Sequence, residues 1–278
     1  MFEDDAERQT TSLRGRLADV YYPALLGDSQ DALAIRLGER AMTYNPLFGW
    51  AQGLDQIRPH LKEVAAWLET VGASYTHARS LVGLERDISE GVLSLRSSSR
   101  HIDLPVAVVM ERRKAREVDL RCYHAALPLG HWQAKRPPRV LPDKEQTLAA
   151  DVATHLAALR LGDADALVSG FETDGALRDG AGRLHGRGTA GEQGSPNKLH
   201  EYYVQLLQNE RGANDWVPIV RSAADDGRTC AVEFETEKTR GDESTPKEGL
   251  FLFERGDSGL FRSVRVYDEV GYDDEPRA

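Results

Sequence analysis

Leu26-Gly27-Asp28, Asp31-Ala32-Leu33 and Met42-Thr43-Tyr44-Asn45-Pro46 have counterparts far downstream in the same chain. The second set reads Leu161-Gly162-Asp163, Asp165-Ala166-Leu167 and Ala176-Leu177-Arg178-Asp179. Asp31 and Asp165, Leu33 and Leu167, and Asn45 and Asp179 each stand 134 positions apart. Gly53 and Gly188 follow in turn, and each half closes on a similar run. These are Leu120-Arg121-Cys122-Tyr123-His124 and Val264-Arg265-Val266-Tyr267-Asp268. A period this long is a duplicated domain, not a solenoid unit.

Outward from the motif, each half runs from helices into strands. Residues 13–26 carry Leu13, Leu17, Val20, Ala24 and Leu25 near helical spacing, with Pro23 kinking or ending the helix. A second helix is expected over 29–38 and a short strand at 42–44, which Asn45-Pro46 ends. Ile57, Leu61, Val64, Ala65 and Leu68 form the stripe of a longer helix that stops at Gly72. Strand patterns then cover 76–85, 91–96, 106–111 and 118–124. The second half repeats the order: helix 145–160 with Asp143 as cap, short helix 163–170, strand 175–179, helix 197–209, then strands 216–222, 229–238, 247–254 and 261–268. Residues 1–132 and 145–278 read as two domains joined by a proline-rich linker at 133–144. Helices followed by strands give α+β rather than a parallel α/β sheet. The glycine-rich stretch 180–196 and residues 240–246 read as mobile or lid loops.

Composition bounds the function. The 278 residues carry a net charge of −10, with 40% hydrophobic and 29% charged residues. That charge runs against binding nucleic acid, whose phosphates need a basic surface. The one basic cluster, Arg112-Arg113-Lys114-Ala115-Arg116, falls between two strands and reads as a solvated turn. No segment approaches the length of apolar chain that spans a membrane, and the acidic start lacks a signal-peptide pattern. A cytoplasmic protein is the simplest expectation. Cys122 and Cys230 fall in strands of different halves and read as separate buried thiols. No Cys or His spacing matches a metal site, no G-x-S-x-G nucleophile motif occurs, and no cofactor is implied.

The order helix, Gly-Asp, short helix, strand, Asn-Pro or Asp-Gly, helix, then strands ending in Arg-x-Tyr resembles the nuclear transport factor 2-like superfamily. SnoaL-like polyketide cyclases and ketosteroid isomerases are the members it is most similar to. His155-Leu-Ala-Ala-Leu-Arg-Leu-Gly-Asp163 and Cys230-Ala-Val-Glu-Phe-Glu235 carry the resemblance best. It implies two tandem cone-shaped domains, each a curved, mostly antiparallel sheet wrapped around helices. It further implies that they pack sheet to sheet as an internal pseudo-dimer, with further self-association left open. Of the three ketosteroid isomerase groups, a helix tyrosine and two aspartates, the first half offers Val20, Asn45 and Ala107, and the second His155, Asp179 and Gly249. Only Asp179 keeps its type.

Alternation puts Leu120, Cys122 and His124 on one face of the closing strand and Arg121 and Tyr123 on the other. Val264, Val266 and Asp268 likewise oppose Arg265 and Tyr267. The four Arg and Tyr residues suit either a sheet-to-sheet contact or a solvated face. In the second half His155, Asp179 and Asp268 are catalytic candidates, with Asp179 as base and His155 as acid, its charged form favoured by two carboxylates. Asp179 before Gly180 also suits a turn on backbone grounds alone. In the first half Tyr22, Tyr44, Phe48, Trp50 and Tyr123, with the polar Asn45 and His124, read as a ligand pocket or as core. Tyr22, Tyr44, Asn45, Trp50 and His124 are the ligand-binding candidates. Two functions follow: cofactor-free acid–base chemistry of the cyclase, isomerase or epoxide-hydrolase type on a hydrophobic small molecule, or a non-catalytic module that binds a ligand or a protein.

Overall fold

The structure, a computed structural model, describes residues 16–83, 85–96, 101–114, 117–124, 147–188, 197–212, 217–237 and 247–267. The chain divides into two compact units, Met1–Pro138 and Arg139–Ala278.

The first unit holds helices α1 (Leu17–Leu26), α2 (Gln30–Leu37) and α3 (Leu54–Thr70). Its strands are β1 (Met42–Asn45), β2 (Gly49–Gln52), β3 (Ser74–Val82), β4 (Arg86–Arg96), β5 (His101–Lys114) and β6 (Glu117–Tyr123). They form one open sheet in the order β2-β1-β6-β5-β4-β3. Only β1 and β6 run parallel among its neighbours, with Thr43 opposite Leu120 and Tyr44 opposite Arg121. The α3 stripe Ile57, Leu61, Val64 and Leu68 is buried against the sheet residues Leu93, Leu104, Val106, Val108, Leu120 and Cys122. Each such aliphatic side chain contributes about 1.5–3 kcal/mol by leaving water.

The second unit repeats this plan. Its helices are α4 (Ala150–Leu161), α5 (Ala164–Ser169) and α6 (Lys198–Gly212). Its strands are β7 (Phe171–Arg178), β8 (Leu184–Gly186), β9 (Val217–Asp225), β10 (Thr229–Glu237), β11 (Lys247–Arg255) and β12 (Phe261–Tyr267). The sheet order β8-β7-β12-β11-β10-β9 matches the first, again with its first strand parallel to its last. Both halves are therefore α+β, as the sequence predicts, with mostly antiparallel mixed sheets.

The backbone sharpens the repeat by one residue. Asp28 and Gly162, 134 apart, both take positive φ (56° and 68°), and the following Ser29 and Asp163 are the N-caps of α2 and α5. The two Gly-Asp pairs are thus out of step. Tyr21, not Val20, is the counterpart of His155, and both are buried. Aspartate tolerates the left-handed region because its short polar side chain satisfies the local backbone.

Three further expectations change. The edge strand β2 forms in a stretch for which no element was expected, and β8 lies inside the glycine-rich stretch read as a loop. Helix α4 begins at Ala150 rather than 145, and the expected cap Asp143 lies outside the described residues. The basic cluster belongs partly to β5, where Arg112 pairs with Asp87 at 2.8 Å and Arg113 with Asp119 at 2.6 Å. Gly53 alone separates β2 from α3, whereas residues 187–197 separate β8 from α6.

Arg121, Tyr123, Arg265 and Tyr267 do leave the core face to Leu120, Cys122, Val264 and Val266. Each arginine finds a glutamate in its own unit: Arg121 with Glu111 and Arg265 with Glu254, both at 2.9 Å. Cys122 and Cys230 are buried free thiols. Among the described residues no helix is long and apolar enough to cross a membrane.

Candidate functional site

Strands β1 and β7 end in the same turn. In the first half Asn45 Oδ1 accepts the Leu47 amide at 2.9 Å, and the Phe48 amide donates to the Asn45 carbonyl at 3.2 Å. In the second, Asp179 Oδ1 accepts the Ala181 amide at 3.1 Å, and the Gly182 amide donates to the Asp179 carbonyl at 2.9 Å. Asparagine and aspartate both make such turns because one side-chain oxygen mimics a backbone carbonyl.

What surrounds the turn differs. Asp179 Oδ1 also accepts the Arg183 amide at 2.9 Å, and Oδ2 accepts Arg183 Nε at 2.8 Å and His185 Nε2 at 2.9 Å. Burial pushes the Asp179 carboxyl up, but the hydrogen bonds from His185 and Arg183 outweigh it and hold it below the usual range. An ionised carboxylate can only accept, so His185 donates from Nε2, and Nδ1 is the ring nitrogen that Asp179 leaves unengaged. The Asp179 side chain is 4% exposed and that of His185 is 18% exposed. The imidazole packs on the Tyr202 ring of α6, with centroids 4.4 Å apart at 30°. His185 lies opposite Leu177 in the β7–β8 ladder and so shares the core-facing side of the sheet. Its counterpart 134 positions earlier, opposite Thr43, is the buried Ala51.

His155 is elsewhere. Its ring meets Phe171, Tyr203, Phe253 and Phe261 edge-on, at centroid distances of 5.4–5.9 Å. Tyr203 Oη lies 3.3 Å from Nε2, and Nδ1 is buried without a hydrogen bond. Burial lowers its pKa to about 3, so it is neutral at physiological pH. The expected charged acid beside carboxylates is therefore corrected: an aromatic cage desolvates the imidazolium, and among the described residues no carboxylate offsets that. Asp179 makes its bonds to Arg183, His185 and the turn, not to His155. Asp268 lies outside the described residues.

The first-half candidates also separate. Thr43, Asn45 and Ala51 face the core, and by alternation Tyr44 and Trp50 face the other side. Tyr44 is buried there opposite Arg121 and Trp50 is 52% exposed, so neither joins Tyr22. Phe48 packs on Trp67 at the core margin, and His124 is buried just past β6. Tyr22 belongs to a tyrosine cluster instead. It stacks on Tyr75 at 5.1 Å and meets Tyr21 edge-on at 5.0 Å. Tyr75 lies over Gly91 in β4, where a Cβ would fall 2.6 Å from the Tyr75 hydroxyl oxygen. The Tyr21 hydroxyl sits near Cys122, Asn45 and Thr43, and the Tyr22 hydroxyl near Cys122, yet neither makes a well-formed hydrogen bond. Burial raises both phenols far above their usual range and the Cys122 thiol to about 12. Among the described residues, this half has buried polar groups and carries an amide, not a carboxylate, at the turn.

His185 is the residue that sequence reasoning passed over. The available signal was its place in the repeat, where alanine becomes histidine as asparagine becomes aspartate. Among the described residues no group of three or more His, Cys, Asp or Glu is set to hold a metal ion.

No family model and no curated protein matches this chain. Solved structures do resemble it. An epoxide hydrolase/cyclase-like enzyme with a role in pyran ring formation in polyether salinomycin is 18% identical over 42% of this chain and 87% of its own, with a TM-score of 0.33. A putative polyketide cyclase from Sinorhizobium meliloti is 19% identical over 43% of this chain and 94% of its own, with a TM-score of 0.34. A SnoaL-like protein of unknown function from Burkholderia thailandensis is 14% identical over 44% of this chain and 98% of its own, with a TM-score of 0.33.

Proposed function

We propose that the second half is a small-molecule site for cofactor-free proton transfer, with His185 as the acid–base group. The single observation that carries this reading is the buried carboxylate of Asp179 bonded to a partly exposed imidazole. A carboxylate that orients a histidine fixes its tautomer and stabilises its charged form during turnover. Asp179 is then a positioning residue rather than the base. Its four donors and depressed pKa leave it little basicity, whereas His185 Nδ1 is not engaged by Asp179. The substrate class is a hydrophobic small molecule undergoing a cyclase, isomerase or epoxide-hydrolase reaction. The first half, with Asn45 and Ala51 at these places, is a non-catalytic partner domain.

The test is turnover of a panel of aryl epoxides and β,γ-unsaturated cyclic ketones by the whole chain, read by chromatography. His185→Gln is expected to lower kcat by about 10²–10⁴ while KM moves little. Full turnover by that variant would reject the assignment. The second reading, a non-catalytic binding or protein-interaction module, is favoured by the saturation of Asp179 within its own turn. Panel compounds that bind the wild type and are never converted would establish it.

A further inference from the structure

Two neighbouring tyrosines of α6 meet the two histidines of the second half. Tyr203 is buried, with its hydroxyl 3.3 Å from His155 Nε2 inside the phenylalanine cage. Tyr202 is half-buried, and its ring takes the His185 imidazole of β8, centroids 4.4 Å apart at 30°. The two tyrosine rings touch edge to face, with centroids 5.5 Å apart at 65°. Ring contacts therefore run without a break from the His155 cage through Tyr203 and Tyr202 to His185. The first half has other residues at these places. The buried Ile57, Leu61 and Val64 of α3 match the buried Leu199, Tyr203 and Leu206 of α6, each pair 142 positions apart. On that register His60 and Leu61 stand where Tyr202 and Tyr203 do, and the strand residue is Ala51. The paired tyrosines thus accompany the strand histidine.

One hydrogen bond holds an edge of an imidazole and leaves the ring free to pivot about it. The bond from Nε2 to Asp179 Oδ2 settles which nitrogen donates, but not the plane of the ring. A ring packed on one face settles the plane. We propose that Tyr202 is a positioning residue for His185: it sets the plane of the imidazole, and so the direction of Nδ1, with Tyr203 and the His155 cage as its buttress. His155 then serves the site through packing rather than through a proton. A working group must be held within about 0.5 Å and 10–20° of its productive geometry, and looser placement slows turnover. This inference rests on the reading of His185 as the acid–base group.

The experiment combines turnover of the same epoxide and ketone panel by the whole chain with NMR of its histidine side chains, the His185 signals being those missing from His185→Gln. Tyr202→Leu is expected to lower kcat by about 10- to 100-fold with KM nearly unchanged, and Tyr202→Phe should retain most of kcat. Tyr202→Met, which also lacks a ring, carries the same expectation as Tyr202→Leu and replaces it if that variant fails to fold. The His185 ring protons should move downfield in Tyr202→Leu and stay in place in Tyr202→Phe, because the shielding comes from the aromatic ring. In alkaline buffer, two-bond proton–nitrogen spectra should keep the proton on Nε2 in both variants and lose that preference in Asp179→Asn. Wild-type kcat in Tyr202→Leu with native circular dichroism, equal losses in Tyr202→Leu and Tyr202→Phe, or His185 signals unmoved by Tyr202→Leu would each overturn the proposal. His185→Gln separates the two claims: turnover lost there but intact in Tyr202→Leu sinks the role of Tyr202 alone, and full turnover there sinks the role of His185. With no panel compound converted, the spectra alone decide whether Tyr202 holds the imidazole.

Discussion

At the end of the first strand the two halves make one turn with different residues. Asn45 closes it with a single oxygen, and Asp179 closes it with one oxygen while the other takes Arg183 and His185. The first half places Tyr21 and the second His155 at the same point of the first helix of each unit. Backbone plan and chemistry are therefore separable here. The turn needs an acceptor and is indifferent to charge, so a change from amide to carboxylate leaves the fold intact and gives an adjacent histidine a partner. Function of this kind lives in a few grafted side chains rather than in the fold.

The sharpest way to break that comparison is to erase the charge difference. Asp179→Asn keeps the turn acceptor and makes the second half resemble the first. Turnover of any converted panel compound should fall by about 10²–10⁴ in kcat with a small change in KM, because the imidazole loses the anion that orients it. A change confined to KM would show that Asp179 acts on binding instead.

Acid stability compares the halves at lower amplitude. Each buries a neutral histidine: burial lowers His155 to about 3 and His60 of α3 to about 4, both from 6.5. Below pH 6.5 the unfolded chain takes up protons that the folded chain refuses. The stability both residues confer is thus complete above that pH and drains away as pH falls toward 3–4. The loss is on the order of a few kcal/mol, and larger for His155. Urea denaturation between pH 7 and pH 4 measures it. His155→Phe should flatten the pH dependence more than His60→Leu, and parallel curves for His155→Phe and wild type would contradict the neutral cage.

The smallest effects have opposite signs. The Tyr21 hydroxyl is buried without a well-formed hydrogen bond, whereas the Tyr203 hydroxyl faces His155 Nε2 at 3.3 Å. Tyr21→Phe should raise stability by roughly 0.5–1 kcal/mol and Tyr203→Phe should lower it by a similar amount. Thermal melts of the two variants shifting in the same direction would mean the tyrosines are not the contrasting pair described.

Much of the fold is legible in the chain because it rests on periodicity. The stripe Ile57, Leu61, Val64 and Leu68 can bury itself only as a helix, and the alternation around Leu120 and Cys122 only as a strand. Edge strands β2 and β8 escape that logic. They are three or four residues long, and β8 sits among glycines whose composition argues for a loop. The one-residue slip that joined Val20 to His155 has a similar origin. Gly-Asp reads as one unit, yet the left-handed position is filled by Asp28 in one half and Gly162 in the other. At the site, Asp179 was legible from its place in the repeat. His185 was not, because its role depends on a register that brings β8 back beside the turn. Tyr44 and Trp50 were misgrouped because aromatic residues close in sequence lie on opposite faces of a strand from Asn45 and Ala51.

The parallel pairing of the first strand with the last sets a clock for synthesis. Met42 waits for Asp119, and Ala176 for Ser263, before either sheet can close its central seam. Contacts of such long sequence separation are slow to form, since the loop between them must be ordered first. A nascent chain therefore holds each domain's hairpins and helices unsealed until almost the whole domain has left the ribosome. The completing event in each domain is the arrival of β6 or β12, the strands that carry Cys122 and Val266 into the core.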